Sequence, residues 1–439
     1  MVYNNKENKS LKTLNKSFVA YSSTLKKRED YSWDFKKANT KEYTHCFHSY
    51  PAMMIPQVAR RIIENYGLGS KLLFDPFCGT GTSLVEANLK GINAVGADIN
   101  PLARLIAKVK TTRININYLD SCLQKFFDNI FKLNFASIDD YQSELPKIKN
   151  IDYWFSRETQ VKLNIVFRYV ESIEDEKVKN FFKVAFSETV RESSFVRSNE
   201  FKLVRIKNLE DKKDVDVFAI MSSKLLRNRQ GLIEFQNVCP VNVESKIYDI
   251  NSTINIPLNI LTPNSVDIVV TSPPYGDSKT TVAYGQFSRF SNEWLGYKDA
   301  HQIDKKLMGG MKIKNLPYFN SRILNDTLNT LNKIDEKRTL DVLSFYNDFQ
   351  AAIKNISKVV KKNGFACFVV GNRTVKNITI PNDEITVEFL TQNGFLHIET
   401  IIRNIPSKRM PIKNSPSNII GETSTTMKNE YIVICQKIK

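Results

Sequence analysis

The chain has 439 residues, with 63 lysines and arginines against 46 acidic residues, giving a formal net charge of +17. Its hydrophobic fraction of 42% is ordinary for a folded soluble protein, and no apolar run approaches the ~20 residues of a membrane span. Length and composition thus exclude a membrane protein, a secreted disulfide scaffold and a mainly disordered chain, while the basic balance is compatible with a polyanionic partner.

Residues 1–45 are rich in Lys, Asn and Ser and hold the basic cluster Lys26-Lys27-Arg28. They read as a loosely ordered arm, either touching phosphates or simply solvated. The opening residues are polar and lack an apolar core, so no secretory signal is expected and a cytoplasmic, nucleoid-associated location is. Cys46, Cys78, Cys122, Cys239, Cys367 and Cys435 are scattered, with no Cys-x-x-Cys pair and only four histidines in the chain. Neither a bound metal nor a disulfide framework is expected from that spacing.

From about residue 46 the pattern alternates strand and helix. Residues 71–75 form a short apolar run ending in Asp75, followed by the turn Pro76-Phe77-Cys78-Gly79-Thr80-Gly81-Thr82. A helical stretch closed by Gly91 comes next, then a buried strand ending at Asp98. Strand, glycine turn, helix and strand with a terminal acid make a nucleotide-binding βαβ unit. Gly79 and Gly81 let the backbone approach a ligand, the following helix offers its amides to an anion, and Asp98 is placed to accept from ribose hydroxyls. A third glycine in dinucleotide register is absent. S-adenosylmethionine has a carboxylate and a ribose but no pyrophosphate, so it is favoured over NAD.

Residues 113–243 break the alternation, with apolar positions at helical spacing and charges of mixed sign. They are expected to form a mostly helical insertion, a candidate target-recognition region, between the two parts of a catalytic domain at 46–112 and 244–439. Strand-like runs resume at 246–250, 266–271, 364–371, 395–403 and 429–437, and a helix is expected over 342–360. The fold class is therefore α/β: a Rossmann-like, seven-stranded, mostly parallel sheet with a large helical insertion.

The second motif, Thr271-Ser272-Pro273-Pro274-Tyr275, directly follows the apolar run at 266–270. Two prolines stop the ladder and stiffen the backbone, which aims the Ser272 hydroxyl and nearby carbonyls at a planar substrate. The Tyr275 ring can stack on a base taken out of its helix.

Together, the Asp75–Thr82 and Thr271–Tyr275 motifs resemble the amino-group DNA methyltransferases, and Ser272 at the first variable position resembles their cytosine-N4 branch. The segment 48–56 is similar to the family's N-terminal cofactor-pocket motif, and 281–296 to an element that follows the catalytic loop. The order, with a long insertion between cofactor and catalytic motifs, resembles the class in which a target-recognition region separates the halves. The resemblance implies catalytic residues Ser272, Pro273, Pro274 and Tyr275. It implies a cofactor site of Tyr50, Pro51, Asp75, Pro76, Phe77, Gly79, Thr80, Gly81, Thr82, Asp98, Ile99, Asp249 and Thr271, with Asp249 at the cofactor's adenine amine.

The implied reaction is direct transfer. Hydrogen bonds from the exocyclic amine to Ser272 Oγ and the Pro273 carbonyl favour a pyramidal nitrogen that attacks the sulfonium methyl in line. No cysteine nucleophile is needed, and Cys239-Pro240 reads as a turn. Candidate contacts to double-stranded DNA are Arg289, Arg403, Lys408, Arg409 and Lys413, with Arg191, Arg197, Lys202, Arg205 and Lys207 as a second patch. A cognate restriction endonuclease acting separately is a further expected partner. The rival expectations are an adenine-amine enzyme, an RNA base methyltransferase and a non-catalytic DNA-binding subunit.

Overall fold

The computed structural model describes residues 26–51, 53–133, 145–198, 200–212, 215–276, 278–298, 300–313, 318–405, 413–414, 424–425 and 427–439. In chain order its strands are β1 (Lys27–Glu29), β2 (Leu72–Asp75), β3 (Asn93–Ala97), β4 (Ser245–Tyr248), β5 (Val266–Thr271) and β6 (Val360–Val370). They continue with β7 (Arg373–Val375), β8 (Ile378–Ile380), β9 (Phe395–Asn404), β10 (Lys413–Asn414), β11 (Ser424–Thr425) and β12 (Asn429–Lys437). One sheet has the order β1-β9-β12-β6-β5-β2-β3-β4. Only β12 runs antiparallel to its neighbours; β7–β8 and β10–β11 are separate small hairpins.

The sheet therefore has eight strands where the sequence suggested seven. The additional strand comes from the segment expected to be a loose arm: β1 pairs in parallel with β9. Its charges are matched, Lys27 to Asp383 at 2.7 Å and Arg28 to Glu399 at 2.7 Å. Such a strand is held by its ladder and ion pairs rather than an apolar stripe, so it carries no hydrophobic signature.

Successive strands run outward from β2 through β3 to β4, and in the opposite direction from β5 to β6. The reversal between β2 and β5 opens a crevice at their carboxyl ends, the usual ligand position in an open α/β sheet. Both motifs end there. β5 reads as continuous apolar sequence because both its faces are covered. Ile268 and Val270 pack with α1 (Pro56–Tyr66) and α2 (Thr82–Leu89), while Val266 and Val269 pack with the long helix Glu336–Val359 on the other side.

A third core is helical. Helices Ile116–Leu133, Arg157–Ser172, Glu176–Ser193 and Val217–Val238 bury their apolar faces together, as around Phe126, Phe182 and Leu225. The same core takes in Leu102 and Ile106 of α3 (Pro101–Lys110) and Phe287, Phe290 and Trp294 of the helix Ser278–Trp294. The helical layer is thus continuous with elements on either side of the crevice. Cys239 caps Val217–Val238 and is buried. The segment after the catalytic loop is helical because Phe287, Phe290 and Trp294 share one buried face.

Among the described residues no helix is long and apolar enough to cross a membrane, and no group of three or more His, Cys, Asp or Glu is placed to hold a metal ion.

Candidate active site

The crevice is built first by Asp75, the last residue of β2. Its carboxylate is buried and accepts from Phe77 N at 3.1 Å, from Ser83 Oγ, and from Thr271 Oγ1 at 2.6 Å. Burial pushes its carboxyl up to about 6, against hydrogen bonds that favour the charged form. Asp75 thus ties the glycine turn, the start of α2 and the end of β5 into one rigid floor.

The turn needs Gly81. It sits at φ +77° as the N-cap of α2, and a Cβ there would lie 2.9 Å from Ala107 Cβ. Gly79 donates its amide to Asp98 Oδ2 at 3.0 Å, and Asp98 Oδ1 accepts from Asn100 N at 2.8 Å. Burial raises the Asp98 carboxyl above its usual value. Each carboxylate oxygen retains a further acceptor site.

Asn100, absent from the expected site, is a hub within it, with four hydrogen-bond partners. It caps α3 by accepting from Leu102 N at 3.2 Å. Its Nδ2 donates to Tyr50 Oη at 2.8 Å and to Ser288 Oγ at 2.9 Å. Asn292 Nδ2 donates to its Oδ1 at 3.2 Å. One amide therefore joins the segment before α1 to the helix after the catalytic loop. The sequence signal was an Asn-Pro helix start, which says nothing of partners 50 and 188 positions away.

Tyr50, Pro51, Asp75, Pro76, Phe77, Gly79, Thr80, Thr82, Asp98 and Ile99 all line the crevice, together with Ser272 and Pro274. Gly81 and Thr271 shape it from behind, as helix cap and as donor to Asp75. Pro273, within the loop, is buried. Asp249 is displaced from its expected place: its exposed carboxylate forms a two-point pair with Arg104 at 2.9 Å, and residues 250–253 line the crevice instead. Residues 306–308 complete the wall, linked by Asn251 Nδ2 donating to Lys306 O at 3.4 Å. No sequence signal marks them, since only the fold brings them there.

Ser272 Oγ lies 3.1 Å from Tyr275 Oη, which donates to Glu430 Oε1 at 3.3 Å. Gly371, directly after β6, makes room for the ring, since a Cβ there would come 2.9 Å from Tyr275 Cδ2. Cys78 also lines the crevice, but burial beside Asp98 and Asp75 raises its thiol well above the usual range and keeps it protonated.

The basic candidates separate. Arg403 is 3% exposed, donates to Trp33 O at 2.8 Å and pairs with Glu430, so it does not present its charge to a phosphate. That expectation failed because the apolar run at 395–403 does not disclose the neighbouring strand: within β9 Arg403 stands opposite Glu430 of β12, which takes up its charge. Arg289 is half-buried on Ser278–Trp294, one turn from Glu293. Lys413 falls in the hairpin strand β10, and Lys408 and Arg409 lie outside the described residues. In the insertion, Arg191 stacks 4.0 Å over Phe287, Arg205 stacks 4.1 Å over Tyr153, and Arg197 faces Glu200 at 3.9 Å. Arg191 and Arg205 thus brace the helical core.

The crevice suits S-adenosylmethionine by its own donors and acceptors. Among the described residues Thr80 Oγ1 is buried without a protein partner, Asp98 retains acceptor sites, and the glycine turn brings backbone close to whatever occupies the crevice. An aliphatic wall from Met53, Met54 and Ile99 suits a thioether chain.

Comparison with known proteins agrees. The N6/N4 methyltransferase family model, described as DNA methylase, matches residues 1–109. The type II methyltransferase M.MvaI of Kocuria varians is 41% identical over 424 residues, covering 91% of this chain and 92% of that one. M.MjaII of Methanocaldococcus jannaschii is 28% identical over 192 residues, 42% of this chain and 34% of that one. A tRNA (guanine(10)-N2)-dimethyltransferase of Methanothermobacter thermautotrophicus is 49% identical, but over only 53 residues, 12% of this chain and 16% of that one. With its S-adenosylmethionine crevice and its Ser-Pro-Pro-Tyr loop, the chain belongs to the N6/N4 amino-methyltransferase family of type II DNA methyltransferases.

Proposed function

We propose that the enzyme methylates the N4 amine of cytosine in duplex DNA, at a base flipped out of the helix, as the modifying half of a restriction-modification pair. The observation that carries the choice of base is Ser272. The first position of the catalytic loop holds a neutral hydroxyl lining the crevice, where an acid or amide is the adenine-type expectation.

Tyr275 stacks on the flipped ring, and Ser272 Oγ with the Pro273 carbonyl accepts the amine's N–H bonds. These contacts withdraw the nitrogen lone pair from the ring and aim it at the sulfonium methyl, which S-adenosylmethionine supplies. Orientation and electrostatics provide most of the acceleration. Asp98 takes the cofactor's ribose, and the turn from Pro76 to Thr82 with Tyr50 and Pro51 encloses its methionine part. Residues 250–253 and 306–308 face its adenine in place of Asp249. Phosphate contacts fall to Arg289, Lys408, Arg409 and Lys413, and target recognition to the helices of 113–243.

Incubating the protein with duplex DNA or tRNA and methyl-labelled cofactor tests this reading. Label in DNA, recovered as N4-methylcytosine after digestion, is expected. Label confined to tRNA overturns the substrate.

A further inference from the structure

The hydroxyls of the catalytic loop form a directed chain. Tyr275 Oη donates to Glu430 Oε1 at 3.3 Å, and Ser272 Oγ lies 3.1 Å from Tyr275 Oη. A carboxylate only accepts, and a phenol has one proton to donate. Since that proton points to Glu430, the Ser272–Tyr275 bond must run from Ser272 to Tyr275. The serine proton is then directed away from substrate, and the lone pairs of Oγ remain to accept an amine N–H. Glu430 is fixed from behind: it stands opposite Arg403 in the β12–β9 register, and the two side chains form an ion pair. Arg403 is in turn anchored by the backbone carbonyls of Trp33 and Asp34.

We propose that Glu430 is the positioning residue that sets the polarity of this chain, and the group to which the proton released by amine methylation passes. The proposal rests on the reading of Ser272 as acceptor of the target amine's N–H. As the N–C bond forms, the methyl–sulfur bond breaks and its electron pair stays on sulfur, leaving a neutral thioether. Nitrogen then holds the positive charge and one proton too many. That proton passes to Ser272 Oγ as the serine proton passes to Tyr275 Oη and the tyrosine proton to Glu430 Oε1. Both hydroxyls end neutral, the methylated amine is neutral, and Glu430 is a carboxylic acid. Its side chain is 19% exposed, so it returns the proton to water before the next turnover. The two contacts exceed the ordinary O–H···O length of about 2.7–2.8 Å, and such bonds tighten in the reacting complex.

The test is single-turnover methyl transfer on the preformed enzyme–cofactor–DNA complex between pH 5 and 9, for the wild type, Glu430→Gln, Tyr275→Phe and the double variant. Each single variant is expected to lose at least about tenfold in rate, and the double variant no more than the worse single, because the groups act as a unit. The pH–rate profile of Glu430→Gln is expected to differ in shape from that of the wild type, because the chain has lost its terminal acceptor. Cofactor affinity, measured by titration, should change less than about twofold. A wild-type rate and pH profile in Glu430→Gln, or multiplicative losses in the double variant, would overturn the proposal. If Glu430→Gln does not fold, Tyr275→Phe leaves the Arg403–Glu430 pair intact, and full activity there overturns the proposal equally. Methyladenine as the wild-type product would defeat the cytosine reading alone, since an adenine amine releases the same proton.

Discussion

Thr271 Oγ1 donates to Asp75 Oδ1 at 2.6 Å, a buried bond that fastens the catalytic loop to the cofactor turn across adjacent strands β5 and β2. The two halves of the site, 196 positions apart in sequence, therefore share one carboxylate. Thr271→Val keeps the shape and removes the donor. The expected cost is about 1–3 kcal/mol of stability, with weaker cofactor binding and slower transfer together. Denaturant unfolding and cofactor titration on the same preparation check this; weaker transfer with unchanged cofactor affinity would show that the bond does not couple the two motifs.

Gly81→Ala should be costly for a different reason. The backbone sits at φ +77°, and the new methyl would meet Ala107 Cβ at 2.9 Å. Left-handed strain alone is on the order of 1–3 kcal/mol. Cofactor affinity should fall with it, because the turn shifts away from Asp98. Calorimetric titration reads the affinity and a thermal melt the strain.

Arg403 and the pair Lys408–Arg409 should respond in opposite ways. Arg403→Ala strands the Glu430 carboxylate and is expected to cost about 3–5 kcal/mol of stability, as removing one partner of a buried pair does. Its folded fraction should bind DNA with an unchanged salt slope. Neutralising Lys408 and Arg409 together should instead leave stability unchanged and lower the slope of log affinity against log salt by nearly two. Filter binding over a salt series separates the two outcomes.

How much of this was legible in the sequence depends on the range of the signal. β2, β3 and β5 were readable because their apolar runs end at Asp75, Asp98 and Thr271, each with a proline within the next three residues. The Asn100 hub, the 306–308 wall and the Glu430–Arg403 pair were not, since each depends on side chains brought together from distant segments. β1 was hidden because its residues are all charged, and the helix Ser278–Trp294 because Gly285 interrupts a pattern that only its buried aromatic face sustains. Asp249 shows the converse: an acid at the expected distance along the chain, claimed instead by Arg104.

The buried histidines predict an acid-side loss of stability. Burial lowers His45 and His48 to about 4, so both are neutral in the fold. Between pH 6.5 and 4 the unfolded chain binds more protons at these positions, so stability falls as pH falls through that window. Asp75 works the other way: its raised carboxyl adds stability as pH falls from about 6 toward 4. The clean readout is therefore a difference. Unfolding midpoints at pH 7 and pH 5 should lie closer together in His48→Phe than in the wild type; an equal separation would contradict the assignment.

The base that receives the methyl group separates the cytosine enzyme from its adenine counterpart. DNA from a host expressing the protein, digested to nucleosides and resolved by mass spectrometry, should contain N4-methylcytosine that is absent when Ser272→Ala is expressed instead. N6-methyladenine in its place, lost in the same variant, would contradict the cytosine assignment.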